Sequence, residues 1–533
     1  MDQHERRRAP RRRDLLGWGA AGLGAAGVGV VAGCSGEVPS EVTRTKGATA
    51  PPSPSSPGHD PDWVRVENAK TGDEGWRVYS PKVAGDDLVG FASAASVRPG
   101  EAVEVYLRSD RGPVDLTVYR AGHYGGAGGR LVDEARNITA PTQPEPTSDD
   151  LGTVRCDWQS AHTLDTTDWP EGTYLVRLEA RGRAKSIPLT LRSHDLTDRL
   201  VIVNATTTYQ AYNEWGGASL YHGLDAAGER TFGGRARAVS FERPYDGNGV
   251  SILMKYEHAP IRLAEELGLD LAYLTSGDLE EADLTGAAGV VSLGHDEYWS
   301  VPMRDAVEAA RDHGTNLAFL GANACYWRVR LTDAGRTVVC HKSADLDPAD
   351  GPTTTALWRG APHPRPENSL TGMLYEAFPA VGPLVVHDPD SWLLEGTGAT
   401  KGASYPGLVG SEIDRVYPID GTPSTLQVIG HSPTPLAGGR STHANFTYYT
   451  SDSGAGVVST GTMSWCYGIR GEYPELNITT ESVEFARAVS TNLLTAMAAG
   501  PLGRTHRSVP NLDGLTLPVT TATGTGGAVA DHP

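Results

Sequence analysis

Ala287-Ala288-Gly289-Val290-Val291-Ser292-Leu293-Gly294-His295-Asp296-Glu297-Tyr298-Trp299-Ser300 is the stretch on which the fold turns. Up to Leu293 it is short, apolar and β-branched without alternation, the pattern of a strand covered on both faces. From Val301 to His313 (VPMRDAVEAARDH) apolar residues recur at helical spacing, with Pro302 in the first turn, where a missing N–H does no harm. His295, Asp296 and Glu297 therefore sit at the carboxyl end of a parallel strand, the edge on which open α/β sheets bind ligands.

The same alternation extends to either side. LVIVNA (200–205), the helical PIRLAEELG (260–268), LDLAYLT (269–275), the VVSLG strand, the 301–313 helix and NLAFLG (316–321) predict a doubly wound, mostly parallel sheet. Past Thr353 the signals weaken into β-rich and irregular segments that close on a helix from Ser482 to Ala499. Upstream, AVEVYLRS (102–109), VDLTVYRA (114–121) and TYLVRLEA (173–180) alternate between turn signals at Arg98-Pro99-Gly100 and Trp169-Pro170-Glu171-Gly172. That texture predicts an all-β, immunoglobulin-like sandwich over 62–195, ahead of an α/β domain over 198–500. Residues 501–533, rich in Pro, Gly and Thr, read as a disordered tail.

The amino-terminal end carries an address. Arg11-Arg12-Arg13-Asp14-Leu15-Leu16 and a Gly/Ala-rich apolar stretch form a twin-arginine export signal over 1–33, and Val31-Ala32-Gly33-Cys34 matches a lipoprotein cleavage box. The Gly content and the polar, Pro/Ser-rich spacer up to residue 61 argue against a membrane-spanning helix. Acyl chains on Cys34 would anchor the protein stably to the outer face of the cytoplasmic membrane. The whole chain carries a net charge of −19, and residues 1–33 hold six Arg against Asp2, Glu5 and Asp14, so the remainder is more acidic still. Such a surface excludes nucleic acid and electrostatic adhesion to membranes. Cys156, Cys325, Cys340 and Cys466 permit one or two disulfides in an exported protein. Cys325 and Cys340 flank a hairpin-like YWRVRLTDAGRTVV, but spacing alone leaves the connectivity open.

Three strands of the α/β part end in unusual loops: 206–221 with Tyr212 and Tyr221, then His295-Asp296-Glu297, then Ala322-Asn323. In a parallel sheet all three open on one edge, so Tyr212, Tyr221, His295, Glu297 and Asn323 can converge. Phenolate and carboxylate oxygens suit a hard, highly charged cation, whereas zinc more often recruits Cys or His; ferric iron fits best. Each residue also has a bland reading. Tyr209 and Trp215 read as half-buried packing groups, His295 as a hydrogen-bonded loop histidine, and Asn323 as a turn cap. Glu412, beside Asp414 and Arg415, reads equally as a surface ion pair.

At these residues the chain resembles a known family. Ala211-Tyr212-Asn213, Tyr221 closing Gly-Ala-Ser-Leu-Tyr, His295-x-Glu297-Tyr298, Asn323 ahead of Tyr326-Trp327, and Gly410-Ser411-Glu412-Ile413-Asp414-Arg415 are similar to the catalytic domain of the N,N-dimethylformamidase large (beta) subunit, over about residues 200–500. The resemblance implies an α/β, glutamine-amidotransferase-like domain with one iron per chain. Tyr212, Tyr221 and Glu297 would be the metal ligands, and His295, Asn323 and Glu412 the proton-handling residues beside it. It implies hydrolysis of a small amide at its C–N bond. The loop between Tyr212 and Tyr221 is short here, the family's long insertion and lectin-like module are missing, and Asp296 stands where the family has proline. A small subunit and oligomeric state stay open. Two function classes follow: an exported, lipid-anchored iron amidase, or a non-catalytic envelope lipoprotein that binds a ligand or partner on the same fold.

Overall fold

The LVIVN, LAYLT, GVVSLG and NLAFLG runs form adjacent parallel strands, β1 (Leu200–Asn204), β2 (Leu271–Thr275), β3 (Gly289–Gly294) and β4 (Asn316–Gly321). The computed structural model describes residues 59–79 and 82–517. The export signal, Cys34, the linker up to residue 58 and the tail from 518 lie outside the described residues. Three later strands, β5 (Gln427–Pro435), β6 (Ser441–Thr450) and β7 (Gly456–Ser459), complete a seven-stranded sheet in the order β2-β1-β3-β4-β7-β6-β5. β7 is parallel to β4, while β6 runs antiparallel to both its neighbours.

Helix α1 (Thr206–Tyr212) follows β1 directly, and α2 (His258–Glu266), α3 (Val301–Asp312) and α4 (Thr480–Ala498) cover the sheet. Successive strand side chains point to opposite faces. Leu200, Ile202, Val291 and Leu293 therefore pack with Ile261 and Leu263 of α2 and Val489 and Leu493 of α4. Val201, Val203, Val290 and Leu317 pack with Met303 and Val307 of α3 on the other side. α3 begins where the sequence places it, with the Ser300 hydroxyl accepting the Met303 amide and Pro302 in the first turn. No helix of the described residues is long and apolar enough to cross a membrane.

Ahead of the α/β part, Leu88–Ala92, Val103–Ser109 and Ser160–Leu164 form one sheet. Ser96–Val97, Arg183–Leu191, Gly172–Ala180, Val114–Ala121 and Gly129–Ile138 form another. Both contribute to one core through residues such as Val105, Leu107, Val118 and Val176. This β part is fastened to β2 and α2 by a buried ion pair: Arg120 to Glu265 at 2.5 Å, both side chains fully buried. Glu265 also accepts from the Tyr273 hydroxyl at 2.5 Å and from Asn68 Nδ2 at 2.8 Å. The described residues from 61 to 517 consequently belong to one compact unit across the 195–198 change of texture.

One expectation is corrected and one open question is answered. The tail assignment fails over 501–517: Leu502 is buried and its amide donates to Asn316 Oδ1, Ser508 Oγ accepts the Thr450 amide, and Asn511 Oδ1 accepts the Val428 amide. Composition cannot reveal that polar groups of this segment have partners on the strands of the sheet. A Cys325–Cys340 bridge does not form either. The predicted hairpin is present, Trp327–Thr332 against Thr337–Val339, but its register pairs Arg330 with Val339 and carries Cys340 away from Cys325. The two thiols belong to different cores, and all four described cysteines are free and buried.

Removing one member of a buried ion pair strands the other charge, at a cost of roughly 3–5 kcal/mol. Arg120→Leu should lose about that much unfolding free energy in urea, and Arg120→Leu/Glu265→Leu less than the sum of the two single losses. A single-variant loss below ~1 kcal/mol would show that this junction does not depend on the pair.

Candidate functional site

Between β1 and β3 the strand order changes direction, because β1 leads to β2 on one side while β3 leads to β4 on the other. Loops leaving such a switch point part, and a crevice opens at the carboxyl ends. α1 follows β1 directly and delivers Tyr212 at its end; the chain then doubles back to Tyr221. Gly294 ends β3 with φ +59°, and a Cβ there would lie 2.1 Å from the Cβ of Tyr256. Its register partner Gly321 ends β4, where a Cβ would lie 2.0 Å from the Gly294 carbonyl oxygen. Only glycine lets both strand ends close so tightly and release their loops from one edge. Asn323 then adopts φ +59°, a left-handed conformation that Asn tolerates better than most residues. Glu412 arrives from a distant strand, Ser404–Arg415, which pairs with Leu374–Val385.

All six residues singled out in the sequence meet. The hydroxyl oxygens of Tyr212 and Tyr221 are 2.9 Å apart, and each lies 2.8 Å from a different carboxylate oxygen of Glu297. His295 Nε2 is 2.9 Å from the Tyr212 hydroxyl, 3.3 Å from Glu297 Oε2 and 4.0 Å from Glu412 Oε1. Asn323 Nδ2 donates to Glu412 Oε2 at 2.8 Å, and the Asn323 amide donates to Asp414 Oδ1 at 2.9 Å. The Glu297 amide donates to Thr208 Oγ1 on α1, tying the two loops together. Tyr221, His295, Glu297, Asn323 and Glu412 are buried, and Tyr212 is half-buried.

The surface ion pair at 412–415 is ruled out by strand alternation. Glu412 and Asp414 share one buried face with Asn323, Ile413 enters the core, and Arg415 bonds to Glu376 and Thr442. Tyr209 and Trp215 are packing groups, buried rather than half-buried, Tyr209 donating to Glu257 and Trp215 meeting Trp158 edge to face. One neighbour escaped the sequence reading. Lys342, half-buried, holds Nζ 3.3 Å from the Tyr221 ring centroid and 4.5 Å from that of Trp327, and donates to the Tyr298 hydroxyl at 2.7 Å. It lies past the 327–339 hairpin in a segment with no motif, so nothing along the chain marks it.

Burial is the first cause of every shift in ionisation here. It lifts the Tyr212 and Tyr221 phenols well above their ordinary range, with the Glu297 charge adding to it. It also raises Glu297, and raises Glu412 further, where the Glu297 carboxylate is the next cause. Asp414 is pushed up to about 7, and Lys342 is pulled down to about 7. The site is thus crowded with acidic groups and short of positive charge. Two phenols and a carboxylate whose oxygens sit 2.8–2.9 Å apart are a hard donor set that fits a hard cation. Among the described residues no group of three or more His, Cys, Asp or Glu could hold a metal ion, so a metal centre here needs its tyrosines.

A family model described as N,N-dimethylformamidase beta subunit-like, C-terminal, matches residues 115–477. The match spans all six residues and begins inside the β strands, well before Leu200. No curated protein matches the chain.

Behind α1, the buried Glu257 accepts from Asn204 Nδ2 at 2.7 Å and the Ala205 amide at 3.2 Å, and burial raises its carboxyl to about 7. Glu257 and Asp414 both have folded pKa values above the unfolded ones, so their stabilising effect is complete below pH ~4 and is lost as pH rises towards 7. The unfolding free energy of metal-free protein should fall between pH 5 and pH 8 in urea titrations. Glu257→Gln should flatten that slope, and an unchanged slope in the variant would show that Glu257 does not titrate there.

Proposed function

The chain belongs to the N,N-dimethylformamidase beta subunit-like family, and we propose on that footing that it is an exported amidase hydrolysing the C–N bond of a small amide. One ferric iron would be held by Tyr212, Tyr221 and Glu297. The observation that carries the reading is the ring of four acidic oxygens, two phenolic and two carboxylate, joined by contacts of 2.8–2.9 Å and buried among groups that handle protons. Iron bound there supplies Lewis acidity, polarising the amide carbonyl and acidifying the attacking water.

The protein's own residues do the rest. His295 takes the proton of the water as its oxygen attacks the carbonyl carbon. Glu412, whose carboxyl is raised by burial and then by the Glu297 charge, gives its proton to the leaving nitrogen as the C–N bond breaks. The two groups, 4.0 Å apart, then exchange the proton and reset, leaving a carboxylic acid and an amine. An Asn amide has two hydrogens, so Asn323 can orient Glu412 with one and donate the other to the developing oxyanion.

In the same reading the α/β part is glutamine-amidotransferase-like, the strands before it are an immunoglobulin-like sandwich, and lipid on Cys34 anchors the protein outside the cytoplasmic membrane. A purely binding role is not favoured, since a binder has no use for three acidic donors around one point.

Metal analysis of protein purified without chelator, with a scan for a phenolate-to-iron absorption band, tests the metal. Tyr221→Phe should lose iron while staying folded; full occupancy in that variant removes Tyr221 from the ligand set. Glu412→Gln should keep iron yet lose roughly 10²–10⁴-fold in turnover of short amides. If iron-loaded wild type hydrolyses none of a broad panel of formamides, acetamides and peptide-like amides, the amidase reading fails.

A further inference from the structure

Arg243 is fully buried, and each of the five acceptors it bonds is neutral. Its Nη1 donates to the carbonyls of Trp215 at 3.0 Å and Ala218 at 2.8 Å; Nη2 donates to those of Gln210 at 3.3 Å and Asn213 at 2.9 Å. Nε reaches the Gln210 side-chain oxygen at 3.4 Å. Asp246 is near enough to favour the charge but makes no hydrogen bond to the guanidinium, so the fork's donors are all spent on neutral oxygens of one loop. What it holds is the backbone from 210 to 218, the tie between Tyr212 and Tyr221.

That tie has little stiffness of its own. Gly216 and Gly217 follow each other in it, both at positive φ, and a free Gly-Gly segment samples widely. The segment after Arg243 adds further clamps. Asn213 Nδ2 donates to the Pro244 carbonyl at 2.9 Å, Asn213 Oδ1 accepts the Asp246 amide at 3.0 Å, and Asp246 Oδ2 accepts the Glu214 amide at 2.9 Å. With the loop so held, the two rings stack with centroids 4.5 Å apart and their hydroxyls meet at Glu297.

We infer that Arg243 is a positioning residue: its planar fork gathers the carbonyls of the 210–218 loop and thereby sets the distance between Tyr212 and Tyr221. The use made of that distance rests on the metal reading above; the positioning itself does not. Lysine is no substitute, because one ammonium cannot present a rigid fork to four carbonyls at once. Burial lowers the Arg243 pKa only to about 10, so the fork stays charged at neutral pH.

The test uses full-length, metal-free protein labelled with 3-fluorotyrosine, the Tyr212 and Tyr221 ¹⁹F resonances being assigned by single Phe substitutions. Arg243→Lys and Arg243→Met should shift and broaden both resonances, and in parallel titrations should weaken Fe(III) binding by ~10-fold or more. Arg304→Met is the control, since Arg304 is equally buried but bonds the Arg365 and Pro366 carbonyls of another loop. It should lower thermal stability and leave both resonances in place. Unmoved resonances in folded Arg243→Lys, or equal movement in Arg304→Met, would overturn the proposal. If the Arg243 variants do not fold, Asp246→Ala loosens the same segment and is read the same way. A wild type that takes up no iron sinks the metal reading and leaves the resonance test standing.

Discussion

Two phenols and two carboxyls cannot be buried within hydrogen-bonding distance of one another unless protons or a cation hold them together. Everything near Glu297 answers to that constraint. The raised pKa values of Tyr212, Tyr221, Glu297 and Glu412 describe the same shortage of positive charge from four sides. Lys342 meets it in part, by laying its ammonium on the Tyr221 ring. Asn323 meets it by giving an amide hydrogen to Glu412 and its backbone N–H to Asp414. A group of acids that repel one another stays assembled only on a rigid frame, so the frame has to be explained with the site.

That frame reaches further than the α/β sheet. Thr173 and Thr190, on strands of the N-terminal β part, donate to Asn204 Oδ1 at 2.8 and 2.9 Å, and Asn204 in turn donates to Glu257. Glu257 receives the Ala205 amide and the Tyr209 hydroxyl, and so grips α1 at its start and one turn in. Tyr212 ends that helix. A chain of buried hydrogen bonds thus runs from the β strands to the first residue of the site, with Arg120 and Glu265 closing the junction nearby. A family match that begins at residue 115 is in keeping with β strands that belong to the frame of the site.

Where the sequence could be read, the reason was local. β1 to β4 are buried on both faces and so carry unbroken apolar runs, and α3 carries its Ser300 cap and Pro302 within four residues. β5 to β7 stayed hidden because an edge strand such as Gln427–Pro435 tolerates Pro433 and Pro435 and mixes polar with apolar residues. Glu412 was legible only through resemblance to a family. In isolation its neighbours Asp414 and Arg415 suggest a solvated pair, and only the strand's alternation, with Ile413 in the core, turns the two acids inward.

The amino-acid sequence by itself determined the parallel strands, the edge on which their loops open and the residue types at that edge, because apolar periodicity and strand-end chemistry are written in consecutive residues. Only the tertiary structure decided that six side chains spread from Tyr212 to Glu412 share one point, that Lys342 joins them, and that Arg243 holds the loop between the tyrosines. Those facts depend on strand order, on glycines that let two strand ends close, and on partners brought together by folding, and no local stretch of the chain contains them.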